Sequence, residues 1–199
     1  MDPHIEDGLI RRSTYAELRP LDPNHVTIVT RHIYEVEATR QTRLLQRRYT
    51  WTGTGVENRP AVEPNADPIG HTTHKLLGSV LYEADRKRMM VVDLGRTLSE
   101  GDTATVEVSH RFVDTGGTFD PHLGHTAYEG CRSITLAVVL PGTGTTVERV
   151  TKHPTAAMPR TRDPQPGVPE KLGKVHVVRY QWVIPDPEVG LSYSLNWTF

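Results

Sequence analysis

Only one cysteine, Cys131, stands in a chain of 199 residues. No intrachain disulfide can form, so the fold must rest on an apolar core, which a chain of this length can build. That cysteine usage fits a reducing compartment. Long apolar runs are missing too. The longest aliphatic stretch is Leu136-Ala137-Val138-Val139-Leu140, far short of the roughly 20 residues that a membrane-crossing helix needs. The N-terminal MDPHIEDG has neither the basic nor the apolar segment of a secretion leader, so a soluble, cytoplasmic protein with no membrane partner is expected. Neither sign of charge dominates, with Lys+Arg 23 against Asp+Glu 24. This balance speaks against a dedicated nucleic-acid binder. No helical period outlasts a few turns, and no repeat or heptad pattern is visible. Ser79 and Ser133 lack a Gly-x-Ser-x-Gly elbow. There is no His-Glu-x-x-His, and Gly142-Thr143-Gly144 has no Lys-Ser/Thr behind it, so it makes no phosphate loop.

What the chain does have is alternation. In residues 174–199 the bulky positions His176, Val178, Tyr180, Trp182 and Ile184 recur at every second residue. After Pro185-Asp186-Pro187-Glu188-Val189-Gly190 the pattern resumes with Leu191, Tyr193, Leu195, Trp197 and Phe199. A period of two is that of a strand with one buried face, so a closing β-hairpin is predicted. Residues 26–37 and 42–52 suggest a first hairpin, and 87–94, 103–113, 131–140 and 146–152 further strands. Residues 73–82 are apolar but too short to separate helix from strand by period. Residues 53–72, 114–130 and 153–173 are rich in proline and glycine and are predicted as long loops, the usual carriers of function on such a scaffold. Ser13 could cap a short helix ended by Pro20 and Pro23. Residues 1–25 are therefore expected to form an N-terminal arm, ahead of a single domain at 26–199.

Ten histidines are the compositional oddity. Asp120, His122 and His125 lie within six residues of one predicted loop, and His71 and His74 end another. Imidazole and carboxylate are the ligands of zinc and other first-row metals, so convergence of the two loops would make a divalent-metal site. Histidines three apart point to opposite sides of a strand, so either pair needs a turn or helix. Without metal, Asp120, His122 and His125 are candidates for acid–base work in a cleft. Cys131 opens an apolar strand and suits a small buried residue better than a nucleophile.

His32, His110 and His176 fall on apolar faces, where a neutral, hydrogen-bonded core histidine is the ordinary outcome. Together with Tyr34, Tyr180 and Trp182 they could instead line an aromatic pocket, making Tyr34, His110, Tyr180 and Trp182 the ligand-binding candidates. Arg40, Arg43, Arg47 and Arg48 interleave with Tyr49 and Trp51 in a manner that suits stacked single-stranded nucleic acid. Their charges split between two faces, however, and a charged edge strand accounts for them equally well.

The sequence thus predicts an all-β protein: an antiparallel β-sandwich of about eight or nine strands, with an open or flattened barrel as the other candidate. The functional expectation is a non-catalytic binding domain that presents long loops to a protein or small-molecule partner. The alternative is a small cavity enzyme, such as a cyclase, isomerase or hydrolase, using the loop His and Asp residues. No cofactor is predicted beyond the candidate divalent metal.

Overall fold

The structure, a computed structural model, describes residues 8–20, 27–57, 60–63, 74–84, 87–142, 145–153, 155–172 and 175–198. Its strands in chain order are β1 (Leu9–Pro20), β2 (Thr27–Ala38), β3 (Thr42–Thr50), β4 (Gly55–Glu57), β5 (Ala61–Val62), β6 (Lys75–Ala84), β7 (Lys87–Leu98) and β8 (Thr103–Asp114). There follow β9 (His122–Thr126), β10 (Ser133–Pro141), β11 (Thr146–Lys152), β12 (Thr161–Pro164), β13 (Gly167–Leu172), β14 (Val175–Pro185) and β15 (Ser192–Thr198). No helix among the described residues is long and apolar enough to cross a membrane.

One large sheet runs β13-β14-β10-β1-β2-β8-β4, with β5 also on β8. A four-stranded sheet, β12-β11-β15-β9, and a three-stranded sheet, β3-β7-β6, complete the molecule. The sheets pack as a sandwich without closing a barrel. Among the described residues all pairings are antiparallel except β1 with β10. The fifteen described strands exceed the eight or nine expected, because pieces of the predicted loops at 53–72, 114–130 and 153–173 pair as short strands.

Alternation places one side of each strand in a core. Leu18, Ile28, Leu136, Val138 and Ile184 of the large sheet meet Leu123, Val147, Leu195 and Trp197 of the four-stranded sheet in one cluster. In a second, Leu9, Val36, Val106 and Val108 meet Leu45, Met90, Val92 and Leu98 of the three-stranded sheet. Both small sheets therefore cover the same side of the large one.

Three expectations are corrected. Residues 9–20 are no arm and no capped helix; β1 is an inner strand, flanked by β2 and β10. A register shift between Arg11 and Ser13 breaks its period, so Leu9 on one side of the bulge and Thr14, Ala16 and Leu18 on the other are buried out of step. The two predicted hairpins are arches. β14 pairs with β10 and β13 while β15 pairs with β11 and β9, and Trp182 meets Tyr193 across the layers with ring centroids 5.6 Å apart. Likewise β2 lies in the large sheet and β3 in the three-stranded one.

Candidate functional site

Between the two small sheets, over the strip of the large sheet where the two cores meet, lies a cleft of about 640 Å³. The floor comes from β2, whose buried side interrupts its apolar run with Thr30, His32 and Tyr34. One wall is β3 and the residues just after it, 46–52; the other is β9, residues 122–126. Over β9 the cleft continues onto the polar outer surface of β15, where Ser192, Ser194 and Asn196 alternate with the core residues Tyr193, Leu195 and Trp197.

At the bottom of the β3 wall is Arg47, only 6 % exposed. Its Nε donates to Tyr34 Oη at 2.6 Å, and its guanidinium lies 4.9 Å from the Tyr49 ring centroid and 6.0 Å from that of Tyr34. Among the described residues no carboxylate meets it, and Nη1 is buried without a hydrogen-bond partner. A buried guanidinium lacking a counter-charge costs several kcal/mol, roughly, which one phenol and two ring faces offset only in part. Across the floor, burial first, and then the charges of Arg47, His125 and His110, push the His32 imidazole well below its ordinary range. His32 is therefore neutral, and the positive charge at the bottom of the cleft is that of Arg47.

No Asp or Glu lines the cleft among the described residues, whereas Arg11, Arg47, Arg48, Lys152 and Arg162 all do. Aromatic rings close one end. Trp51 stacks on Phe112 at 4.4 Å and on Phe119 at 5.4 Å. Asp114, buried where β8 ends, clamps that end: its two carboxylate oxygens accept the backbone N–H of Thr54 at 2.8 Å and of Phe119 at 2.7 Å. Asp120 N–H donates to Thr52 Oγ1 at 2.9 Å, tying the predicted loop to the β3 wall.

The sequence candidates distribute as follows. Tyr34 lines the cleft. His110 is buried beside it, 5.3 Å edge-on to Tyr49 and 4.1 Å from Phe112. Tyr180 and Trp182 lie elsewhere, between the large and four-stranded sheets: Tyr180 Oη donates to Thr145 O at 3.1 Å, and the Arg149 guanidinium lies over Trp182. His176 is exposed near the start of β14.

His122 and His125 both border the cleft but sit on a strand, so their rings leave it on opposite sides. His122 Nδ1 is 3.2 Å from Asp120 Oδ2, in a pair open to solvent on both members. His125 Nε2 is 3.4 Å from Thr14 Oγ1. His74, just ahead of β6, is buried; burial first, then the Arg96 charge, lower its imidazole, with Asp93 opposing. His71 lies outside the described residues. No group of three or more His, Cys, Asp or Glu among the described residues could hold a metal ion, so His74 does not reach Asp120, His122 and His125. Burial pushes the Cys131 thiol up, only partly countered by its bond to the Ser133 carbonyl, the reverse of what a nucleophile needs.

Arg47 was within reach of sequence reasoning. It shares an apolar face with Leu45, Tyr49 and Trp51, and a charge on such a face marks a buried polar group as readily as an edge strand. The β9 wall was not, since its five residues carry no strand pattern.

No family model matches the chain, and no curated protein matches it. Among solved structures it is similar to an M1 zinc metallopeptidase from Deinococcus radiodurans at 11 % identity and TM-score 0.47, covering 95 % of this chain and 42 % of that one. It is similar also to a two-domain M1 zinc metallopeptidase mutant bound to L-arginine, at 11 % identity, TM-score 0.48 and the same coverage. The chain thus spans less than half the length of the structures it resembles.

Proposed function

We propose that this chain is a binding domain whose cleft between β3 and β9 holds an anionic partner. The observation that carries this reading is Arg47: a buried guanidinium without a carboxylate among the described residues, in a cleft whose described lining holds five cations and no acid. A ligand carboxylate or phosphate would supply the missing charge, and charge-assisted bonds to a desolvated arginine are among the stronger polar contacts. The aromatic surface of Trp51, Phe119 and Tyr49 adds an apolar neighbour for the rest of the ligand.

Binding is favoured over catalysis because the acid–imidazole pair, Asp120 with His122, has both side chains open to solvent rather than enclosed in the cleft. Nothing orients it toward Arg47, and the neutral His32 makes no bond through Nδ1 to an activating group.

The test uses glutarate and its diamide, followed by tryptophan emission and thermal shift. The dianion is expected to stabilise the protein, as a ligand of the native state does, and the diamide to do so far less. Arg47→Met should weaken glutarate binding by about ten- to a hundredfold, the range for hydrogen bonds to charged groups. Equal effects of dianion and diamide would end the anion reading.

A further inference from the structure

The two walls of the cleft, β3 and β9, are edge strands of their sheets. Neither β3 nor β9 has a second strand partner among the described residues. Residues of an antiparallel ladder alternately turn N–H and C=O toward the partner strand and away from it. Ala127 donates its N–H to Leu191 O at 2.8 Å, and the Pro121 carbonyl accepts from Trp197 N at 3.0 Å. The odd-numbered residues of this stretch therefore face β15, and Gly124 and Thr126 turn their amides to the open edge. On β3 the even-numbered residues face away from β7, since the Gln46 carbonyl accepts Arg11 Nη2 at 2.6 Å.

We infer that the occupant of the cleft is an acidic peptide segment in extended form, added as a strand along the open edge of β9 with a carboxylate on Arg47. This rests on the anionic-partner reading above and names its chemistry. An added strand directs alternate side chains to the two sides of the sheet it joins. On β9 one side looks down to His32, Tyr34 and Arg47, and the other looks out over Ser194 and Asn196 toward Lys152 and Arg162. Arg162 is already paired with Glu148 at 3.5 Å, so acidic side chains are favoured by Arg47 on the inner side and by Lys152 on the outer, with no acid among the described lining residues. Gly124 fits the same role. A Cβ there would come within 3.1 Å of Ser194 Cβ, and its absence leaves the outer surface of the edge low where a chain must lie. Main-chain pairing would give affinity and the cations selectivity, the division of labour of strand addition generally.

Four probes decide the matter by isothermal titration: a short acetylated, amidated peptide of alternating glutamate and valine; the same peptide with alternate amides N-methylated; glutarate; and a short oligothymidylate. The plain peptide should bind best. N-methylation should cost about tenfold per main-chain bond removed, and hydrogen exchange at Gly124 and Thr126 should slow in the plain complex only. Both comparisons use the unaltered protein, so they hold even where Arg47→Met fails to fold. If the methylated peptide binds as well as the plain one while glutarate still competes, strand addition is wrong and the anion reading stands. If neither peptide nor glutarate binds, both fall. Tighter binding of oligothymidylate than of peptide would overturn the peptide assignment in favour of single-stranded nucleic acid.

Discussion

His32 on β2 and Arg47 on β3 face the same buried space, and only the arginine is charged there. Burial and the surrounding positive groups hold the His32 imidazole neutral in the folded state, while in the unfolded chain it titrates near its ordinary value of about 6.5. Below that pH the unfolded state takes up a proton that the folded state refuses. The stability this histidine contributes is present above about pH 6.5 and is lost as the pH falls, at up to about 1.4 kcal/mol per pH unit. His74, lowered by burial and Arg96, acts in the same direction. Urea unfolding at pH 7 and pH 5.5 should show a marked loss on acidification, with a shallower slope in His32→Leu. An unchanged slope in that variant would mean His32 takes up its proton in the folded state. At this scale the sequence was partly informative. His32 and His110 on apolar faces were legible as buried histidines, and both are buried. The pairing of Arg47 with Tyr34 was not, because it joins two sheets, and no local period reports which strands face each other.

Single elements were legible as strands, but their partners were not. Alternation in β2, β8, β14 and β15 emerged close to the observed bounds, because each turns one face to a core, whereas β10, buried on both faces from Leu136 to Leu140, was legible from its apolar run. A hairpin and an arch share this pattern: two half-buried strands joined by a short link. What separates them is whether the strands exchange backbone bonds or face each other across the core, and neither leaves a mark on the residue period. β1 escaped because its bulge shifts the alternation in mid-strand and its outer side carries charge. There Glu17 accepts from Tyr15 at 2.6 Å, Arg179 at 2.7 Å and Arg19 at 2.8 Å. Desolvation alone would raise the Glu17 carboxyl, but these bonds and the two arginine charges outweigh it and hold the carboxyl below its ordinary range. The link between β8 and β9 was read as a loop, correctly, but not its anchor. Asp114→Ala would strand two buried or half-buried amides, Thr54 N–H and Phe119 N–H. We expect a loss of about 1–3 kcal/mol in chemical denaturation, with faster proteolysis between residues 115 and 121. Wild-type stability together with wild-type resistance would show that other contacts, such as Asp120 N–H to Thr52, hold that end alone.

Across the whole molecule, the cleft divides what the large sheet joins. The four-stranded and three-stranded sheets have separate cores, an arrangement in which one could open while the other stays folded. Three strands argue against it, since each passes through both cores. β1 gives Leu18 to one and Leu9 to the other, β2 gives Ile28 and Val36, and β8 gives Phe112 and Val108. Opening either core would therefore free residues on the same strands that seal its neighbour, and a single cooperative transition is expected. The aromatic residues make this testable, because Trp51, Trp182 and Trp197 all belong to the first core. Leu98, fully buried in the second, belongs to a different cluster from all three rings. Leu98→Ala should cost about 2–5 kcal/mol, and if the cores unfold together the tryptophan emission midpoint must fall by the full amount, in step with far-ultraviolet circular dichroism. A tryptophan midpoint that stays put while the dichroism splits into two steps would show that the three-stranded sheet is an independent flap. In that case the β3 wall, with Arg47 on it, could swing away from β9, and the cleft would have to be regarded as a gap between two moving parts rather than a fixed seat for a partner.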